Sequence, residues 1–144
     1  MIVVLDASAA VKLVLEEDHS DQVRQLWDEP LRFVAPTIIL PEVASAITAA
    51  WLAGRVGQAG ARLAQQSWAT LTDDVALLNV DLGLASDARA LAAARSVRGM
   101  DAVYLAVAIR LAGHSPIGLL SFDGRQRAAL NPEDDISLLP DKVN

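Results

Sequence analysis

Cysteine is absent from the 144-residue chain, which excludes disulfides, zinc–thiolate sites, iron–sulfur clusters and a cysteine nucleophile. Histidine is scarce. His19 and His114 are the only two, too few for a histidine-rich metal site. His19 follows Glu16-Glu17-Asp18 and His114 follows Gly113, so both are expected at the surface. Positive charge is in the minority, with 12 Lys and Arg against 18 Asp and Glu and a formal net charge of -6. That is the wrong balance for a protein that binds nucleic acid over a broad basic face. Lysine is nearly missing too: of those 12 cations only Lys12 and Lys142 are lysines. Arginine offers a planar fork suited to phosphate and carboxylate, although base composition of the gene explains the same bias equally well. No basic leader precedes the apolar run Met1–Leu5, and Asp6 interrupts it, so no signal peptide is expected. The longest uncharged apolar-rich stretch, Val43–Gly54, falls well short of the roughly 20 residues of a membrane span. There is no G-x-x-x-x-G-K-[ST], no G-x-G-x-x-G and no G-x-S-x-G. These absences together point to a soluble, cytoplasmic protein that avoids the membrane.

What is present is apolar sequence, at 53% of residues, ample for one core and incompatible with intrinsic disorder. The length fits a single domain over residues 1–144. Ile2–Leu5 is an unbroken apolar run, the mark of a strand buried on both faces. A helical stretch opens at Asp6-Ala7-Ser8 and runs to about Leu15, and a second, capped by Ser20 or Asp21, runs to Asp28. Leu31–Ala35 reads as a strand. A long Ala-rich helix then starts at Pro36-Thr37 and reaches about Leu52, with Pro41 tolerated near its first turn. Gly54 and Gly57 break the chain before a helix to about Leu71, and Val75–Val80 is a third strand. Helices follow over Asp81–Ser96 and, after Gly99, over Met100–Ala112, the latter apolar nearly all round and hence buried. Ile117–Phe122 is a fourth strand, a short helix runs from Asp123-Gly124 to Leu130, and Ile136–Leu139 is a small last strand. Strands alternating with helices predict an α/β protein, three layers α/β/α around a mostly parallel sheet of four to five strands. Such sheets bind ligands beyond the carboxyl ends of their strands.

The informative signal is where single acids interrupt apolar sequence. Asp6 is the only charge from Met1 to Val11, Glu42 the only one from Phe33 to Gly54, Asp101 from Gly99 to Ile109, and Asp123 from Leu111 to Gly124. An ionised carboxylate among apolar groups is costly unless paired or bound to a cation. Asp6 and Asp123 end predicted strands, while Glu42 and Asp101 sit in the first turns of predicted helices. An α/β layout can bring all four to one face. Four oxygen ligands with no nitrogen or sulfur suit a hard cation, Mg²⁺ or Mn²⁺, whose chemistry includes phosphodiester hydrolysis. A plainer reading stands beside this one. An Asp at a helix start is a favourable cap, and Glu42 could face solvent. Asp81, the only charge from Val75 to Ser86, is read as such a cap and serves as a control.

The chain resembles PIN-domain ribonucleases, and among them the small VapC-type toxins of toxin–antitoxin pairs. The resemblance rests on four segments in order: Val3-Val4-Leu5-Asp6-Ala7-Ser8, Pro36-Thr37-Ile38-Ile39-Leu40-Pro41-Glu42-Val43, Met100-Asp101-Ala102-Val103-Tyr104-Leu105-Ala106-Val107-Ala108, and Ser121-Phe122-Asp123. They are similar to the family's opening strand, its Glu-bearing segment, its D-A-x-Y-L-A-x-A helix and its [ST]-x-D strand end. Met100 stands where many relatives have an aromatic, and Gly124-Arg125 follows where a further acid is sometimes found. The resemblance implies a PIN-like fold and a Mg²⁺- or Mn²⁺-dependent endoribonuclease. Asp6, Glu42, Asp101 and Asp123 would be its metal ligands, and Ser8 and Ser121 would hydrogen-bond the ligand shell or the phosphate. It also implies a homodimer silenced by a cognate antitoxin laid over the acidic pocket.

Two other readings compete: a non-catalytic PIN-like module that holds a partner, and a small-molecule phosphohydrolase, since Asp6-Ala7-Ser8 faintly matches a nucleophilic Asp after a first strand. An acidic nuclease must attract RNA phosphates locally, and Arg95, Arg98, Arg125 and Arg127 flank the segments carrying Asp101 and Asp123. Val11, Val14, Leu15, Ala49, Trp51 and Leu52 are candidate apolar contacts for a dimer or an antitoxin segment, or else plain core.

Overall fold

A computed structural model describes residues Met1–Val143. The elements are β1 (Ile2–Leu5), α1 (Ala7–Val14), α2 (Ser20–Trp27), β2 (Arg32–Pro36), α3 (Ile39–Leu52), α4 (Gln58–Leu71), β3 (Val75–Leu78), α5 (Leu82–Arg95), α6 (Gly99–Ala112), β4 (Ile117–Leu120), α7 (Gly124–Ala128) and β5 (Ile136–Leu139). Single 3₁₀ turns occupy Thr72–Asp74 and Pro132–Asp134. All five strands belong to one sheet in the order β3-β2-β1-β4-β5. Every pairing is parallel, with Val4 opposite Val34 on one side and Leu119 on the other.

Handedness places the helices. Parallel crossovers are almost always right-handed. The chain steps from β1 through β2 to β3 in one direction, which lays α1–α4 over one face. It then returns past β1 to β4 and β5 in the other direction, which lays α5–α7 over the opposite face. The packing agrees: α1 meets α2, α3 and α4, whereas α6 meets α5 and α7. Covered on both sides, β1 and β4 bury Val3, Val4, Leu5, Leu119 and Leu120 completely. Helix α6 lies across β1, β2 and β4, and everything from Asp101 to Ala108 on it is buried.

Several element ends differ from the sequence-based expectation, each for a local reason. Helix α3 begins at Ile39 rather than at Pro36-Thr37, so Pro41 is its third residue, where a missing N–H costs no intrahelical bond. Neither Ser20 nor Asp21 caps α2. Its N-cap is His19 in the left-handed region (φ 69°), because the Ser20 hydroxyl is buried and turned back onto the Leu15 carbonyl at 3.0 Å. Strand β4 leaves the sheet before Phe122: Ser121 N still donates to Leu139 O at 3.1 Å, but Ser121 Oγ then accepts from Asp123 N and turns the chain into α7. Of the apolar contacts proposed from sequence, Val11 and Leu15 belong to the core, whereas Trp51 and Leu52 are 40% and 74% exposed.

Gly118 on β4 shows how closely the edge strand β5 packs beside it. A Cβ there would lie 2.7 Å from Leu139 Cδ1 and 3.4 Å from Met1 Sδ. Gly118→Val is therefore expected to cost about 1–3 kcal/mol of stability through overpacking. Denaturant unfolding with an unchanged m value is the check.

Candidate active site

In an open parallel sheet the crevice for a ligand opens where the strand order reverses. Here that point lies beyond the carboxyl ends of β1 and β4, and the sequence-predicted residues gather there. Asp6 follows β1 directly and Ser121–Asp123 follow β4, while Asp101 is the third residue of α6 and Glu42 the fourth of α3.

Asp6 is the centre. Its Oδ2 accepts from Ser8 N at 3.0 Å, from the Ser8 hydroxyl, and from Ser121 Oγ at 3.3 Å. Its Oδ1 accepts from Nε2 of the fully buried Gln126 at 3.3 Å, and the same Nε2 reaches the Asp101 carbonyl at 3.4 Å. The two serines tie the strand ends together, since Ser8 Oγ accepts from Phe122 N at 2.9 Å and Ser121 Oγ from Asp123 N at 3.1 Å. Asp123 divides its carboxylate: Oδ1 caps α7 through Arg125 N (2.8 Å) and Gln126 N (3.1 Å), and Oδ2 takes Arg98 Nη2. Arg98 Nε donates to Asp101 Oδ2 at 2.8 Å, so one guanidinium spans both acids. Glu42 stands at the side of the cluster and accepts a hydrogen bond from the buried Tyr104 hydroxyl.

Capping and site membership are thus not alternatives. Asp6 and Asp123 do both. Asp101 is no cap, because Arg98 holds the N-cap position of α6. Asp81, the control, accepts from Leu84 N at 2.8 Å, the only hydrogen bond of its side chain among the described residues.

The electrostatics follow from burial. Asp6 is only 5% exposed, and that desolvation raises its carboxyl above the usual carboxylate range against the pull of Ser8 and Gln126, with the Asp101 charge adding to the rise. Burial raises Glu42 as well, opposed by the Tyr104 hydroxyl and reinforced by the charges of Asp6 and Asp101. Tyr104, buried and donating to Glu42, is pushed far above the ordinary phenol range.

The donor set is all oxygen, the chemistry of a hard cation. Gln126 Oε1 adds a buried oxygen without a hydrogen-bond partner next to Asp6. As the side chains stand, no group of three or more acidic or histidine side chains among the described residues is arranged to hold an ion. Arg98 bridges Asp101 and Asp123 and supplies a positive charge there.

The four candidate RNA-contacting arginines separate. Arg95 donates to Ala129 O (3.0 Å) and forks onto both oxygens of Asp134. Arg127 donates to the carbonyls of Ser121, Leu139 and Pro140. Both are consumed in holding the β4, α7 and β5 region together, which corrects the expectation that they face a ligand. Arg98 is at the cluster and Arg125 is exposed beside it. His114 is exposed as expected, but His19 is half-buried and stacks on Phe122 with ring centroids 5.3 Å apart. Lys12 Nζ lies 5.0 Å from the same ring.

Sequence reasoning missed three parts of the site. Tyr104 had a signal, since it follows Asp101 by three residues and so shares its helix face. Gln126 had none. Arg98 was marked as a phosphate contact, not as a partner of the acids.

A carboxyl whose pKa is higher folded than unfolded binds a proton more tightly in the folded state. Its ionisation therefore costs stability at neutral pH, and the cost fades as pH falls through the folded pKa towards the unfolded value of about 4. Asn caps helices as well as Asp does. Without added metal, Asp6→Asn is expected to melt higher than the parent at pH 7, and the gain should vanish towards pH 4. Thermal melts across this range decide the point.

The sequence matches the family model for the PIN domain over residues 3–129. Among curated proteins none matches at a significant level. Three solved structures share the fold. VapC20 of Mycobacterium tuberculosis, a toxin that cleaves the sarcin–ricin loop, superposes with a TM-score of 0.67 at 22% identity, covering 88% of this chain and 94% of that one. A toxin–antitoxin complex from Klebsiella pneumoniae gives 0.66 at 16% identity, covering 93% and 94%. VapBC2 of Rickettsia felis, bound to a DNA fragment from its promoter, gives 0.65 at 12% identity, covering 96% and 97%. The family model spans all four acid-bearing segments and four of the five strands, and the chain belongs to the PIN-domain family.

Proposed function

We propose that the chain is the toxin of a toxin–antitoxin pair, a Mg²⁺- or Mn²⁺-dependent endoribonuclease that works in the cytoplasm as one domain over residues 1–144. The observation that carries this reading is the gathering of Asp6, Asp101, Asp123 and Glu42 at the reversal point of a PIN-family sheet. The structural neighbours support it, being a VapC toxin and toxin–antitoxin complexes. Asp6, Asp101 and Asp123 would hold the ion, with Glu42 beside them. The ion supplies a Lewis acid for the phosphodiester and lowers the pKa of an attacking water.

The chain's own residues prepare the place. Ser8 and Ser121 fix the Asp6 carboxylate from two strand ends, so its lone pairs keep a set direction. Gln126 braces Asp6 from the buried side and links it to the α6 backbone. Tyr104 orients Glu42 and is held neutral by its own burial. Arg98 and Arg125 are the cations left at the rim to meet an RNA phosphate.

A groove of about 480 Å³ lies between α1 and α3 and adjoins the acids, lined by Ser8, Val11, Glu42, Ala46, Ala49 and Met100 among others. An antitoxin segment laid along it would cover the site, and the exposed Trp51 on α3 is the candidate dimer or antitoxin contact. The second reading, a non-catalytic partner-binding module, draws on Arg98, which already neutralises two of the acids.

Cleavage of a single-stranded or looped RNA separates these readings. The parent should cut in Mg²⁺ or Mn²⁺ and stop in excess chelator. Asp6→Asn and Asp101→Asn should each lose at least about 100-fold, more than outer-shell partners of a metal usually cost. Their circular dichroism should match the parent's. A chromogenic phosphomonoester should stay intact, because a small-molecule phosphohydrolase would turn it over. Full cleavage in chelator overturns the proposal, and metal uptake without any cutting supports the partner-binding module. For the interface, Trp51→Glu should weaken self-association or antitoxin capture in size-exclusion chromatography. A parent that is monomeric, with antitoxin capture unchanged in the variant, removes Trp51 from the interface.

A further inference from the structure

The acidic cluster carries its own cation. Arg98 precedes α6, and its side chain is 61% exposed, yet the guanidinium is turned inward over the two acids rather than out to solvent. Nε takes Asp101 Oδ2 at 2.8 Å and Nη2 takes Asp123 Oδ2. The same charge acts on Asp6 and Glu42. One flexible side chain therefore holds an oxygen of two candidate metal ligands and offsets the charge of a third and a fourth.

A guanidinium and a divalent ion drawn to the same two oxygens repel each other, so they compete for the place. Arginine stays protonated at any physiological pH, so it cannot yield by losing its proton. It can only move away, and its exposure leaves it free to do so. The structural arginines of this chain behave differently: Arg95 holds the Ala129 carbonyl and both oxygens of Asp134, Arg127 holds several backbone carbonyls, and neither could leave without stranding them. Among the described residues, the Arg98 side chain donates only to the two carboxylates.

We propose that Arg98 is a tethered counter-cation of the cluster, competing with the divalent ion for Asp101 and Asp123 and swinging out when the ion binds. In the metal-free protein it relieves repulsion among carboxylates that the fold forces together. In the loaded protein it is released at the rim of the site. The inference rests on the metal-nuclease reading of this site and adds a built-in brake on metal uptake.

The test is Mn²⁺ binding by isothermal titration to the full chain, the parent against Arg98→Gln and Arg98→Lys, with metal-free melting as a second readout. Two charge-assisted hydrogen bonds from a largely exposed arginine predict that Arg98→Gln binds Mn²⁺ about fivefold to tenfold more tightly than the parent. The same variant should melt lower without metal, since the acids lose their neutraliser, and gain more from added Mn²⁺. Arg98→Lys keeps the charge but not the fork, so its affinity should fall between the two. Equal or weaker Mn²⁺ binding by Arg98→Gln, in a parent that does bind Mn²⁺, overturns the competition and leaves the metal-nuclease reading standing. A parent that takes up no Mn²⁺ overturns both.

Discussion

A carboxylate removed from water has to be solvated by the protein, and the site is organised around that demand at Asp6. Backbone and hydroxyl of Ser8, hydroxyl of Ser121 and amide of Gln126 all point at its two oxygens. They still do not match bulk water, and the carboxyl remains raised above its ordinary range. The donors come from α1, the β4 end and α7, so three separate segments must be in place before the cost is reduced. The same hydrogen bonds that make Asp6 tolerable thereby fix the path of the chain where it leaves the sheet.

Charge repulsion sets the second constraint. Asp6, Asp101, Asp123 and Glu42 converge although the chain has an excess of acid throughout. An exposed ion pair is worth little, on the order of 0–1 kcal/mol. Arg98 matters for a different reason: its partners sit in a partly buried place where unpaired negative charge is expensive. A divalent ion can meet the same need with twice the charge and a closer approach to the oxygens. The structure therefore favours a cation at this point, and Arg98 provides one.

How far the sequence could be read tracks the range of the physics involved. Local signals were sufficient for β1, whose unbroken Ile2–Leu5 run needs no partner to be recognised as buried, and for α6, apolar nearly all round. The parallel sheet followed from alternation, but its strand order did not, because nothing in single segments says that β4 returns to the far side of β1. The isolated acids were legible for the same reason that β1 was: a charge amid apolar residues stands out locally. Gln126 was not, since its role depends on α7 folding back against β1, 120 residues away in sequence. Arg95 was misread because its partner Asp134 lies 39 residues on, out of reach of any local pattern.

The contrast between Asp6 and Asp81 sharpens what an isolated acid means. Both follow a strand, both precede a helix, and both accept a backbone N–H from that helix. By isolation alone the two look alike. The difference is the position of their strands: β3 is an edge, whereas β1 lies between β2 and β4 where the direction of winding reverses. At the edge a cap has only its own helix to serve. At the reversal point the ends of two strands and the first turn of a buried helix meet, and Asp6 accepts there from α1, the β4 end and α7 at once. A helix cap gains partners beyond its own helix through the topology around it, and the residue type only permits this.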